Sequence, residues 1–163
     1  MTDNNVVVKA PLDYMDVNKV QKLSTEHHYN TCLSTIVAYS LTASIRYRWI
    51  AHSLRGANVV LYKAFFEDLA DKAHERSNEA IKLLAMYGGE LDIVIQHEPG
   101  VSDEVGELIV GSMNIERTVL SAYLELVGHA NKNHAPLFSY ATSASESQAA
   151  LYLEIQQILV GLK

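Results

Sequence analysis

The segment Val59-Val-Leu-Tyr-Lys-Ala-Phe-Phe-Glu-Asp-Leu-Ala-Asp71-Lys-Ala-His74-Glu-Arg-Ser-Asn78-Glu-Ala-Ile-Lys-Leu-Leu-Ala-Met-Tyr-Gly88-Gly89 decides the fold. It holds no proline, and Phe65, Phe66, Leu69 and Ala73 give it the apolar face of a helix expected from about Val59 to Tyr87. Gly88-Gly89 stops that helix, because glycine takes the left-handed C-terminal conformation without steric cost. Upstream, Val17, Val20, Leu23, Leu33, Val37, Leu41 and Ile45 mark a first helix between Pro11 and Gly56, with Asp16 as its N-cap. Arg55-Gly56-Ala57-Asn58 is the turn between the two, and Asn58 is placed to cap the second helix.

Downstream, residues 90 to 102 read as a connection with a Pro99-Gly100 turn. Leu91, Ile93, Val94 and Ile95 make it apolar enough to lie across the bundle surface. Ser102 with Asp103 and Glu104 opens a third helix whose acidic first turn suits the helix dipole. It continues to about Ala130. After the Asn131 to Ala135 loop and Pro136, a fourth helix reaches the C-terminus, with a candidate break near Thr142 to Ser145. The expected fold is therefore all-α: a four-helix bundle over residues 16–163, a tail over 1–15, and one long crossover between helices two and three. Strand signals are confined to Val6-Val7-Val8 and Ile93-Val94-Ile95, too few for a sheet.

With 163 residues the chain is expected to form one domain with a sizeable core. A formal charge of -6 without a Lys/Arg cluster speaks against nucleic acid as a partner. No stretch is long and apolar enough for a membrane span, and no charged n-region precedes an apolar h-region. The lone Cys32 forms no intrachain disulfide. The expected location is the cytoplasm.

Within the opening segment Glu67, Asp71, His74 and Asn78 fall at i, i+4, i+7 and i+11. That spacing stacks two carboxylates, an imidazole and an amide on one helix face. Turned inward, the stripe suits iron, manganese or zinc; turned outward, it is the solvated side of a helix. Glu116, among Met113, Ile115, Val119 and Leu120, and Glu146, before Ala149, Ala150 and Leu151, are candidates to meet Asp71 and His74 in a bundle core. For each the plainer reading is a surface carboxylate. His52, at the end of helix one, is either a first-helix ligand or an imidazole favoured by the helix dipole. Adjacent His27 and His28 point about 100° apart on a helix and do not chelate one ion together. No phosphate-cradling glycine loop, nucleophile elbow or paired-cysteine motif occurs.

Ala51-His52-Ser-Leu-Arg-Gly-Ala-Asn58, with a following helix ending Tyr87-Gly88-Gly89, resembles the ferritin-like superfamily, closest to the Dps mini-ferritins and their bacterioferritin-like relatives. The resemblance covers helices one and two best. It implies a four-helix subunit, a hollow homo-oligomeric cage of twelve or more copies, and ferroxidase activity with iron storage. By the mini-ferritin pattern His52 and Glu67 fit an inter-subunit site, whereas Lys63, Asn78 and Lys82 stand where a His, an Asp and a Glu belong. By the bacterioferritin-like pattern Glu116 and Glu146 fit. Asp71-x-x-His74 replaces Glu-x-x-His about two residues out of register, Ala149 replaces the last His, and helix one has no acid from Tyr29 to Ala51. The implied metal set is His52, Glu67, Asp71, His74, Glu116 and Glu146, with iron, or zinc or manganese, at an atypical centre on Asp71 and His74.

Two functions follow as expectations: an iron-oxidising and iron-storing cage protein, or a ferritin-like cage or coassembly subunit that has lost the chemistry and keeps a structural or passive storage role.

Overall fold

A computed structural model of the chain describes residues 17–91, 104–130 and 134–162, with side chains described from His28 onward. Four helices make up the described residues: α1 (Val17–Ser53), α2 (Ala57–Met86), α3 (Val105–His129) and α4 (Ala135–Gly161). The expected tail over 1–15, the Asp16 cap, Ser102 and the Pro99-Gly100 turn lie outside the described residues.

Helix boundaries follow local chemistry. Gly56 precedes α2 with φ 61°, a left-handed value that a Cβ would strain. The helix therefore begins at Ala57, and Asn58 sits inside its first turn instead of capping it. At the other end Gly88 has φ 69°, and the Gly89 N–H donates to the Leu84 carbonyl at 2.9 Å, the six-to-one closure of a glycine-terminated helix. Pro136 lies in the first turn of α4, where its missing N–H costs nothing. The candidate break in α4 does not occur. The Thr142 hydroxyl donates to the Phe138 carbonyl and that of Ser145 to the Thr142 carbonyl, both at 2.8 Å, within an unbroken helix.

Pairwise contacts fix the topology. α1 packs on α2 and α3, and α3 packs on α4. The Tyr29 ring meets Tyr87 at 6.1 Å and the Tyr47 ring meets Phe66 at 6.3 Å, so α1 and α2 are antiparallel. The Tyr29 hydroxyl donates to the His129 carbonyl and the Tyr47 hydroxyl to Glu116, so α1 and α3 are antiparallel as well. α2 and α3 are consequently parallel, and the chain joining them must travel the length of the bundle. α3 has 25 residues. At 1.5 Å per residue it is roughly 38 Å long, a span that an extended chain covers in about a dozen residues. The expected crossover is thus a geometric necessity.

The core is in two parts. One apolar cluster surrounds Leu33, Ile36, Leu84, Leu126 and Leu137; the other surrounds Ile50, Phe66, Leu69, Ile109 and Ile155. Each such side chain contributes about 1.5–3 kcal/mol when fully buried. A layer of buried polar groups lies between the clusters. None of the described helices is long and apolar enough to cross a membrane.

Candidate functional site

All four helices contribute to that polar layer. On α2 the buried positions are Phe66, Leu69, Ala70, Ala73, Arg76, Ser77, Ala80 and Leu84, so Arg76 falls on the apolar stripe and its guanidinium points into the bundle. α3 supplies Glu116, fully buried between Ile115 and Val119; α1 supplies Ser40 and Tyr47; α4 supplies Gln148. Arg76 Nη1 donates to Glu116 Oε2 at 2.7 Å and to Gln148 Oε1 at 2.5 Å; Nη2 reaches Glu116 Oε1 at 3.4 Å, and Nε donates to Ser40 Oγ at 2.8 Å. Glu116 also accepts from the Tyr47 hydroxyl at 2.8 Å and from Gln148 Nε2 at 2.5 Å. Both carboxylate oxygens are thus bonded, as burial of an ionised group requires.

Electrostatics reinforce this arrangement. Burial pushes the Arg76 pKa down, but the adjoining Glu116 carboxylate more than offsets it, so the guanidinium is held above its ordinary value. Tyr47 is raised well above the phenolic value, first by burial and then by the Glu116 charge, and therefore acts as a neutral donor. The pair is a closed ion pair with its hydrogen bonds supplied by α1 and α4.

Beside it the bundle is open. α2 and α4 face each other across a groove of about 810 Å³ whose inner wall includes Arg76, Gln148 and Tyr123. Tyr123 and Tyr140 line it with their hydroxyls 3.3 Å apart. Small residues on α4 (Ser139, Ser143, Ala144, Ser147 and Ala150) leave the space unfilled.

The structure separates the metal candidates read from the sequence. Asp71, His74, Glu146 and His52 are exposed, Glu67 is half-buried, and Glu116 alone is inside. Asp71 accepts a hydrogen bond from Arg48 at 3.0 Å on the surface, and Glu67 lies 3.8 Å from Lys63. Among the described residues no three His, Cys, Asp or Glu side chains converge within one chain. The reason is rotational. Two residues of helix turn a side chain by about 200°, so the register offset of Asp71-x-x-His74 sends both outward and turns Ala73 and Arg76 inward. That offset, and a charged residue three positions after Ala73 on an apolar stripe, were the signals in the sequence for Arg76. Gln148 had none.

No family model matches the chain, and no curated protein matches it. Among solved structures, one from Bacillus anthracis strain Ames, described as ferritin-like, diiron-carboxylate proteins, superposes with a TM-score of 0.75 at 18% identity. The match covers 83% of this chain and 97% of that one. The fold is ferritin-like.

Di-iron carboxylate centres in ferritin-like bundles draw a Glu from each of two helices and a Glu-x-x-His pair from each of the other two. The inward positions here are Ser40 on α1, Ala73 and Arg76 on α2, Glu116 on α3, and Ser145 and Gln148 on α4. These residues do not fit two metal ions. They offer one carboxylate and no imidazole, and the carboxylate is already neutralised by a guanidinium 2.7 Å away. A divalent ion about 4 Å from that guanidinium would meet repulsion on the order of 8 kcal/mol at an effective dielectric of 20.

Proposed function

We propose that this chain is a subunit of a ferritin-like assembly whose interior holds a structural ion pair in the place of an oxidising metal centre, and that it serves as a cage or coassembly subunit. The observation that carries this reading is the Arg76–Glu116 pair, 9% and 1% exposed at its side chains and bonded to residues of all four helices. A permanent internal cation supplies the charge balance that metal ions would otherwise give to Glu116. Assembly is supported by exposed apolar side chains near the α1–α2 turn, where Trp49 is 51%, Val60 86% and Leu61 66% exposed. A homo-oligomeric cage of twelve or more copies is the arrangement we propose for that surface.

A second reading keeps iron at the outer face. Glu67, Asp71 and His74 share one stripe of α2, and His52 is exposed at the end of α1. Two subunits would have to bring such residues together to hold iron, zinc or manganese.

Ferrous oxidation by metal-free protein, followed as ferric-oxo absorbance with particle mass from light scattering on the same sample, tests the proposal. The expected result is a large particle that oxidises iron no faster than buffer. Oxidation well above the buffer rate would overturn it.

A further inference from the structure

We propose that the outward face of α1 is the contact between two copies of this chain, packed antiparallel across a two-fold axis. This rests on the reading of the chain as an assembling subunit, and names the surface and its occupant. A helix on the outside of a bundle ordinarily keeps charged residues on its outer face. Yet α1 carries none from Asn30 to Ile45, and no acid as far as Ser53. Its inner face is taken up by Leu33, Ile36, Ser40, Tyr47 and Ile50, all buried. Opposite them stand Thr31, Thr35, Ala38, Thr42, Ile45 and Trp49, spaced four, three, four, three and four residues apart. At about 100° per residue all six lie within about 40° of one direction, a seam roughly 27 Å long. Ile45 and Trp49 are each more than half exposed. The Thr35 and Thr42 hydroxyls donate to the Thr31 and Ala38 carbonyls, each at 2.9 Å, so these threonines can be covered without stranding a donor.

Shape and charge both identify the occupant as a second copy. The seam is small at its N-terminal end and bulky at its C-terminal end. A two-fold at the level of Ser40 sets Trp49 against Thr31 of the second copy, Ile45 against Thr35, and Thr42 against Ala38, large against small along the seam. A parallel pairing would set Trp49 on Trp49 and leave a gap between the small residues. The charges flanking the seam obey the same symmetry. Arg46 Nη2 lies over Gly111, so the guanidinium is on the α3 side. Burial first, and then the Glu125 charge, raise the Cys32 thiol to about 11, which places Glu125 of α3 near Cys32. Cys32 precedes Arg46 by fourteen residues and so projects to the same side of α1. An antiparallel two-fold keeps both α3 helices on one side of the seam. It brings Arg46 of one copy to the level of Ser34 of the other, within a helical turn of Cys32 and hence beside Glu125, and symmetry gives the contact twice. The two Arg46 side chains meanwhile stay roughly 18 Å apart along the axis. With a formal charge of -6, copies of this chain repel wherever acids face each other, and the seam has none.

Particle mass from light scattering over a dilution series, with circular dichroism to follow folding, tests the seam in wild type, Ile45→Glu and Trp49→Glu. Both side chains are exposed in the subunit, so helix content should be unchanged. The concentration at which the particle dissociates should rise at least ten-fold in each variant. Cross-linking gives an independent reading. Ala38→Cys combined with Thr42→Cys should form a disulfide-linked dimer on oxidation. Thr31→Cys should not, because its counterpart lies about 27 Å away along the axis. A monomeric wild type would overturn the seam and the assembly reading together. A large wild-type particle unchanged by folded Ile45→Glu and Trp49→Glu, or a Thr31→Cys cross-link as efficient as that of the Ala38 and Thr42 pair, would overturn the seam alone and leave assembly to another surface.

Discussion

Arg76→Met tests the interior ion pair directly. The substitution removes donors to Ser40, Gln148 and both Glu116 oxygens while keeping an unbranched chain of similar reach. Charge-assisted hydrogen bonds at about 1.5–3 kcal/mol each would sum to a large loss. Two structural features hold it down. Tyr47 and Gln148 continue to donate to the carboxylate, and removing the guanidinium opens the layer towards the α2/α4 groove, which Arg76 itself lines. Stranding one member of a buried pair costs about 3–5 kcal/mol, and those features place the expected loss near 3 kcal/mol. At about 2–4 °C per kcal/mol for a chain of this size, the melting point should drop by roughly 10 °C. Arg76→Met combined with Glu116→Leu should recover most of this. The Tyr47 hydroxyl keeps the Ser112 carbonyl at 3.4 Å, and Gln148 Nε2 keeps the Glu116 carbonyl at 3.1 Å. Urea unfolding of wild type, both single variants and the double variant, at one protein concentration, gives the coupling energy. A single-variant loss below about 1 kcal/mol, or a double variant as unstable as the sum of the singles, would refute the reasoning.

Three further outcomes are expected beyond the iron-oxidation and assembly tests. Tyr47, Tyr123 and Tyr140 all have pKa values raised above 10.0 with burial as the first cause. A raised folded-state value contributes stability that is fully present below the unfolded-state value and is lost as pH rises through and beyond it. The urea midpoint should therefore hold to about pH 10 and fall above it, and Tyr47→Phe should shallow that fall; a flat profile to about pH 11 would contradict the burial of these phenols. On the outer face, Asp71→Asn removes a bond to Arg48 between two exposed side chains and should change stability by under about 1 kcal/mol. His74→Ala should leave the metal content of the purified protein unchanged, whereas a loss of bound metal would favour the inter-subunit iron reading.

Much of the architecture was legible because it depends on signals that act locally. Gly88-Gly89 ends α2 through backbone geometry alone, and the parallel directions of α2 and α3 require a long connection whatever its side chains are. The interior was harder to read because a helix carries several stripes at once. Glu67, Asp71, His74 and Asn78 form one; Leu69, Ala73, Arg76, Ala80 and Leu84 form another, and only packing decides which faces in. Apolar burial outweighs the preference of one arginine for water, since the second stripe takes Leu69, Ala73, Ala80 and Leu84 with it. Arg76 is then carried inside, where Glu116 compensates its charge. Gln148 and Ser40 were illegible for another reason: each is an ordinary polar residue whose role exists only once helices distant in sequence are brought together.

The polar layer also explains how this bundle keeps its register. The two clusters on either side of it are apolar, and a slip of one helix by a turn, about 5.4 Å, would exchange one set of large apolar contacts for another. The layer does not tolerate such a slip. Moving α2 by one turn would take the guanidinium from Glu116, Ser40 and Gln148 and leave it facing apolar side chains, with the carboxylate unpaired behind it. Because Arg76 bonds to α1, α3 and α4 at a single level, any one helix out of step breaks the whole arrangement. A buried pair adds little net stability over well-packed apolar groups, yet its loss is severe when only one partner moves. On that asymmetry, the double Arg76→Met, Glu116→Leu variant should keep most of its stability while losing uniqueness of packing. Broadened side-chain resonances at near-native stability would show that the ion pair selects the register, and sharp native-like resonances would show that the apolar clusters do so alone.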